Sequence, residues 1–287
     1  MRNLHMENHF NTPAEVIDLS IKACENKTKL PVGKMILLGI IALGGATSST
    51  AAHAVENVGV ARALAGVIFP VGLMLIVFLG GELFTGNCLI IMDVFDKRVT
   101  WAGLFRDLFI VFFSNLIGAL CVDVLIVFSG NLNYSGGLLG AYTIKVAVSK
   151  IAISPVQGIT SGILCNILVC LAVLMATSAR DIAGKVWAIF FPIMAFVVGG
   201  FEHCVANMFY IPVGMMAAQN PAYVAKAQEA YGLTAEQIQG LTVLHSLNNF
   251  IPVTIGNILG GMVFVGIPCY FIYKKKWQKW HEESKNA

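Results

Sequence analysis

Six apolar runs, at residues 32–53, 60–80, 102–129, 155–179, 186–217 and 250–273, constrain this chain more than any other feature. Each supplies the roughly 20 residues that carry a helix across about 30 Å of hydrocarbon. An unpaired backbone N–H or C=O has no water to turn to in that medium, so runs of this length predict an all-α membrane protein. Composition agrees, since 57% of the 287 residues are hydrophobic and 12% charged, too few polar groups to coat a soluble globule. The net charge of +3 is not gathered on any polar domain, so no nucleic-acid partner is expected. The first 33 residues scatter their charges without an apolar core, which predicts neither a signal peptide nor a cleavage site.

Six crossings put both termini on one side. Fifteen of the nineteen Lys and Arg residues lie on the tails and loops of that side, and only Arg62, Lys145, Lys150 and Lys226 lie opposite, so cytoplasmic termini are expected. The chain then divides into a cytoplasmic segment 1–30, a six-span domain 31–273 and a basic cytoplasmic tail 274–287. In the first segment Thr12 and Glu15 form a capping box with Pro13 at the first helical position. Val16, Leu19 and Ala23 line one face against Asp18, Lys22 and Glu25, which predicts an interfacial helix over 12–25 along the membrane surface, a loose tail being the alternative. Seven cysteines (Cys24, Cys88, Cys121, Cys165, Cys170, Cys204, Cys269) lie mostly inside apolar runs and lack C-x-x-C spacing. They read as small hydrophobes, with no disulfide, metal site or cofactor expected.

Two of the runs are interrupted. The stretch Gly199-Gly200-Phe201-Glu202-His203-Cys204-Val205-Ala206-Asn207 places a carboxylate and an imidazole inside apolar sequence, where ionisable groups by default mark a pathway or proton relay. Its paired glycines weaken the helix just before them, and a break at that depth survives only where protein or a cavity surrounds it. A blander reading stays open, in which Glu202 and His203 bond each other or nearby backbone and lock helices together. Span two repeats the pattern in Gly80-Gly81-Glu82-Leu83-Phe84-Thr85-Gly86-Asn87, after which Cys88 to Met92 would form a short second half-helix. Phe69-Pro70 leads to Gly80-Gly81-Glu82 as Phe191-Pro192 leads to Gly199-Gly200 and Glu202. Ser114-Asn115-Leu116-Ile117-Gly118-Ala119-Leu120 likewise parallels Gly256-Asn257-Ile258-Leu259-Gly260-Gly261-Met262. Three crossings per half turn the second copy upside down, which predicts inverted repeats with a site at their interface.

Four segments carry a resemblance: GGELFTG at 80–86, SGILCNILVCLAV at 161–173, GGFEHCVANMFYIP at 199–212 and NFIPVTIGNILGG at 249–261. Through them the chain, from about 31 to 273, resembles the formate/nitrite transporter family, the formate-channel branch most of all, although the nitrite and hydrosulfide branches share the framework. The resemblance implies an aquaporin-like six-transmembrane-helix bundle with inverted repeats, spans two and five broken. It also implies a pore in each protomer and a homopentamer in the lipid bilayer of the inner (cytoplasmic) membrane. The family's central histidine maps onto His203 and its polar partners onto Thr85 and Asn166. The outer constriction maps onto Phe69, Val169 and Phe196, the inner one onto Leu73, Leu83 and Phe84, and the vestibule lysine onto Lys150, a loop position by this reading. Glu82 belongs to the motif and is expected to hold its loop by accepting backbone N–H bonds. Asp123 departs from the pattern; its place late in span three leaves a snorkelling or helix-locking role open beside a functional one.

The substrates implied are monovalent conjugate bases of weak acids, formate first, then nitrite, hydrosulfide, acetate and lactate. A bare anion between two apolar rings meets a desolvation cost that the neutral acid avoids, so passage as the acid or with a proton is expected. His203, backed by Glu202, either relays that proton or polarises the substrate while water supplies it. Lys150 and the second half-helices, beginning near Thr85 and Asn207, would draw the anion in. The N-terminal helix and span-two loop are expected to gate the cytoplasmic mouth with pH, with His5 and His9 as candidate sensors. An intramembrane enzyme would need a nucleophile with its base or a metal cage, and neither H-E-x-x-H nor G-x-S-x-G occurs. A water or glycerol channel would show a pair of N-P-A motifs, which is absent, and a purely structural scaffold would not require two broken helices.

Overall fold

The computed structural model describes residues 10–38 and 43–275, and nearly all of them are helical. A short helix α1 (Pro13–Thr28) precedes the first crossing, described as α2 (Val32–Leu38) and α3 (Leu43–Ala52). The second crossing is α4 (Val58–Leu79) and α5 (Phe84–Phe95), and the third is α6 (Trp101–Phe128). The second half repeats this order. Helix α7 (Tyr134–Ile151) precedes the crossing α8 (Pro155–Ser178), then come α9 (Ile182–Gly199) and α10 (Cys204–Ala217), two short helices α11 (Pro221–Tyr231) and α12 (Ala235–Gln239), and α13 (Val243–Lys274). Among the described residues five helices, α4, α6, α8, α9 and α13, are long and apolar enough to span a membrane. The architecture is the aquaporin-like six-span bundle with inverted repeats.

Local chemistry sets the helix starts. Thr100, Asp181 and Thr242 each accept a backbone N–H at the first turn of α6, α9 and α13, and Ser154 with Gln157 closes a capping box ahead of Pro155. Thr242 opens α13 seven residues before the expected start of span six, because Ser246 and Asn249 are buried on the protein side despite their polarity. Helices α7 and α11 occupy stretches that the apolar pattern leaves as loop. Both are half-polar, and they bury Leu139, Ile144, Tyr223 and Ala227 against each other. Asn220-Pro221-Ala222 is a single N-P-A sequence that caps α11 and lies at neither break.

Glycine permits a close backbone crossing. A Cβ at Gly256 of α13 would lie 2.3 Å from the Ile159 carbonyl oxygen and 3.0 Å from Gly162 of α8. Such contacts are with backbone, which cannot give way. Past this crossing α13 widens into looser turns over Leu259–Gly266, after Pro252 has removed one N–H from the ladder.

Helix α1 has the expected capping box, but its buried face shares only Val16 with the expected one. Val16, Ile17, Ile21 and Cys24 are buried, whereas Leu19 is 45% exposed and Ala23 is exposed as well. The helix packs on protein. Asn11 anchors its start by donating from its backbone to the Ser178 carbonyl (2.8 Å) and from its side chain to that of Thr177 (2.8 Å). Lys274 pairs with Asp18, and Arg98 with Glu25 at 3.2 Å. The expected sensors His5 and His9, and the tail beyond Lys275, lie outside the described residues. Asp123 is fully buried, so it does not snorkel, and neither carboxylate oxygen meets a hydrogen-bond partner among the described residues.

Two outcomes follow. Gly256→Ala is expected to destabilise the protein by about 1–3 kcal/mol, as overpacking does, while Gly33→Ala, with nothing within 4 Å, leaves thermal unfolding in detergent unchanged. Hydrogen bonds from Lys29 and Arg98 hold the Glu25 carboxyl below its ordinary value of 4.5. A carboxylate lowered on folding adds stability that is complete above the ordinary value and is lost as pH falls through the folded one. Hydrogen-exchange protection at the C-terminal end of α1, taken relative to intrinsic exchange at each pH, should therefore hold down to about pH 4.5 and fall below it.

Candidate functional site

Both breaks are built the same way. Helix α4 ends on Gly80 (φ 74°) and α9 on Gly200 (φ 71°), each in the left-handed region that a side chain disfavours. An extended turn follows, and the second half-helix starts at Phe84 or Cys204. Span two resumes helix next to the expected start near Thr85 and ahead of Cys88, with Thr85 and Asn87 inside α5, and span five resumes three residues before Asn207. The bared backbone is claimed by one asparagine from the last helix of each half. Asn115 accepts the Phe84 N–H (3.0 Å) and donates to the Glu82 carbonyl (2.8 Å). Asn257 accepts the Cys204 N–H (2.9 Å) and donates to the carbonyls of Glu202 (3.0 Å) and Gly162 (2.8 Å).

A charged network backs each break. Glu202 Oε1 receives Lys150 Nζ at 2.6 Å, and its Oε2 accepts from the amides of Asn207 (2.8 Å) and Asn249 (3.2 Å). Lys150 is not a loop residue; it sits in the last turn of α7, and its ammonium also lies 5.8 Å from the Tyr210 ring centre. On the opposite side Glu82 Oε2 meets Lys27 Nζ (3.2 Å) and the Asn87 amide (2.8 Å), which also donates to Asp107 (2.8 Å). Glu82 thus holds its loop through side-chain partners, not through backbone N–H groups. Sequence reasoning passed over Lys27, Asn87, Asp107, Asn207 and Asn249. The recurrence of Asn five residues after each of Glu82 and Glu202 was a readable signal for two of them.

His203 departs from the repeat, for Leu83 stands at the matching place before α5. Its Nδ1 accepts the Ala206 N–H at 3.0 Å and so caps α10, and Nε2 lies 3.0 Å from Thr85 Oγ1. A backbone N–H can only donate, so Nδ1 is the acceptor and the neutral ring carries its hydrogen on Nε2, donating to Thr85. The ring stacks on Phe196 at 5.9 Å, and Phe196 meets Phe69 edge-on at 5.3 Å.

Two cavities meet at this ring. One of about 60 Å³ is lined by Leu73, Leu83, Val169, Ile193, Phe196 and His203 among others. The other, about 290 Å³, lies on the Lys150 side and is lined by Arg62, Lys150, Glu202, Tyr210 and His203 among others. Phe69, Phe196, His203 and Ala206 border both. Val169 faces the smaller cavity only. Phe84 turns away from it, its ring packed edge-on against Phe112 at 5.1 Å, because the first turn of α5 leans on α6. Thr85 and Asn166 are fully buried behind the cavities, and Asn166 donates to the carbonyls of Thr85 (3.2 Å) and Asn257 (2.6 Å), tying the two breaks together. Among the described residues no group of His, Cys, Asp and Glu side chains is placed to hold a metal ion.

Inverted repeats, two helices broken at equivalent places and cavities joined at one polar side chain define a multi-pass membrane transporter. A family model described as Formate/nitrite transporter matches residues 14–271, and the chain belongs to that family. It is 37% identical over 294 residues to a probable formate transporter of Methanothermobacter thermautotrophicus, covering 94% of this chain and 100% of that one. It is 37% identical over 221 residues to formate channel FocA of Escherichia coli K12, covering 76% of each. Among solved structures it is similar to a pentameric formate channel with formate bound, at TM-score 0.75 and 34% identity, over 88% of this chain and 98% of the other. Membership of a transporter family sets the enzyme reading aside.

Asn257→Ala tests the clamp. It strips a partner from the Cys204 N–H and from the Glu202 carbonyl at the break, and each buried group left unpaired is expected to cost about 1–3 kcal/mol in a denaturant titration in detergent.

Proposed function

We propose that the protein conducts small monovalent weak-acid anions across the cell's inner (cytoplasmic) membrane, formate first, each crossing together with a proton. The observation that carries this is the position of His203, at the junction of two cavities and flanked by apolar side chains on both sides. A bare anion between Phe69 and Phe196, or between Leu73 and Leu83, loses its hydration without gaining a counter-charge, whereas the neutral acid loses little. The names of the relatives, a formate transporter and formate channels, favour formate as substrate. Nitrite, hydrosulfide, acetate and lactate share its charge and acid–base pair and are the further candidates.

In this reading His203 acts as a polariser. Its Nδ1 is occupied by the helix cap, and a second proton there would break that bond and set a cation at a helix N-terminus, where the dipole opposes it. Water in the larger cavity then supplies the proton, while Thr85, buried behind the ring, holds the Nε2–H in place for the substrate to share. Phe69, Phe196 and Val169 form the outer constriction, Leu73 and Leu83 the inner one, and Phe84 and Asn166 support from behind. Excess Lys and Arg on the side of the termini favours cytoplasmic ends, which places α1 and Lys27 beneath the cytoplasmic mouth as the gating elements. Assembly as a homopentamer follows the pentameric relative.

Labelled formate uptake and internal pH, followed together in liposomes, test the proposal. Wild type is expected to acidify the lumen in step with uptake, and His203→Ala to reduce both by roughly tenfold or more, the worth of one hydrogen bond to a charged group. Uptake as net negative current without proton movement overturns the coupling, and absence of flux for any small acid overturns the transport reading.

A further inference from the structure

The side chain that first captures the anion is a separate question from the one that polarises it, and the charges around the larger cavity answer it. Four cations were expected on this side, and three of them are engaged. Lys150 is closed into an ion pair with Glu202 at 2.6 Å, and the other oxygen of that carboxylate is itself held by two amides. Lys145 rests 4.6 Å from the Tyr231 ring centre, and Lys226 donates to the Gly136 carbonyl at 2.6 Å. Arg62 makes no hydrogen bond or ion pair among the described residues, yet it lines the cavity.

Its guanidinium lies over the break in span five. A Cβ at Gly200 would sit 3.4 Å from the guanidinium carbon and from one of its terminal nitrogens, so the glycine that the left-handed turn requires also leaves the fork lying against bare backbone. Tyr142 and Ser49 line the same cavity. A planar fork of N–H donors matches the two oxygens of a carboxylate, and an uncommitted charge keeps its full attraction, whereas the Lys150 charge is cancelled locally.

We propose that Arg62 is the anion-capture residue of this vestibule, binding a small monocarboxylate through both oxygens before it reaches His203, and that Lys150 serves to hold the span-five break. This rests on the transport reading above. The test uses the full chain in liposomes with labelled formate at several salt concentrations. Arg62→Gln is expected to raise half-saturating formate roughly three- to tenfold at low salt, with maximal flux and thermal unfolding close to wild type. Salt should weaken capture by wild type and hardly affect the variant, because screening acts only on the charge that is present. Arg62→Lys should restore part of the affinity and the salt response. Lys150→Gln, by contrast, should lower stability and maximal flux, since it strands the Glu202 carboxylate. If wild type carries formate and Arg62→Gln keeps wild-type half-saturation and salt dependence, the capture site is overturned while the transport reading stands. If wild type carries no formate, it is the transport reading that has failed.

Discussion

A chain that stops being helical inside hydrocarbon exposes N–H and C=O groups that nothing in the solvent can satisfy, and the rest of this structure is arranged around that deficit. At each break one asparagine closes it by accepting from the residue that restarts the helix and donating to the carbonyl two positions earlier. Asn is suited to this because its amide offers an acceptor and a donor side by side. Since Asn115 and Asn257 come from the last helix of each half, the third and sixth crossings are pinned against the broken second and fifth. Asn166 then joins the two breaks through the Thr85 and Asn257 carbonyls.

The repeat explains the frame, and its violations create the site. Lys27 with Glu82 and Asn87 mirrors Lys150 with Glu202 and Asn207, each lysine delivered by the last turn of a short helix, where a cation suits the dipole. Helices α1 and α7 are therefore equivalent parts, although one lies before the first crossing and the other between the third and fourth. Symmetry fails at Leu83 and His203, which gives one break a polar face toward the cavities and leaves the other apolar. It fails again at Asp107 and Asn249, so the Lys27 network carries two carboxylates and the Lys150 network one.

Arg62 shows why exposure and partnership matter more than the presence of a charge. A lysine locked to a carboxylate contributes to architecture, while an uncommitted guanidinium on the same cavity wall is available to an arriving anion. On the capture proposal, a division of labour of this kind would let one vestibule hold its broken helix rigidly and still attract substrate.

Much of this was legible in the residues. Apolar run lengths fixed the membrane class and the number of crossings, and the paired glycines before Glu82 and Glu202 located both breaks. The doubled Ser114 and Gly256 motifs announced the inverted repeat, because such features depend on local propensity and on the hydrocarbon thickness, both of which act on contiguous sequence. Tertiary structure alone decided that Lys150 is a helical partner of Glu202, that α1 buries Ile17 and Ile21 in place of Leu19, that Phe84 turns from the cavity and that Asp123 faces inward. Each of these depends on which distant surface a side chain meets, and half-polar helices such as α1 and α7 carry no periodic signal strong enough to say so in advance.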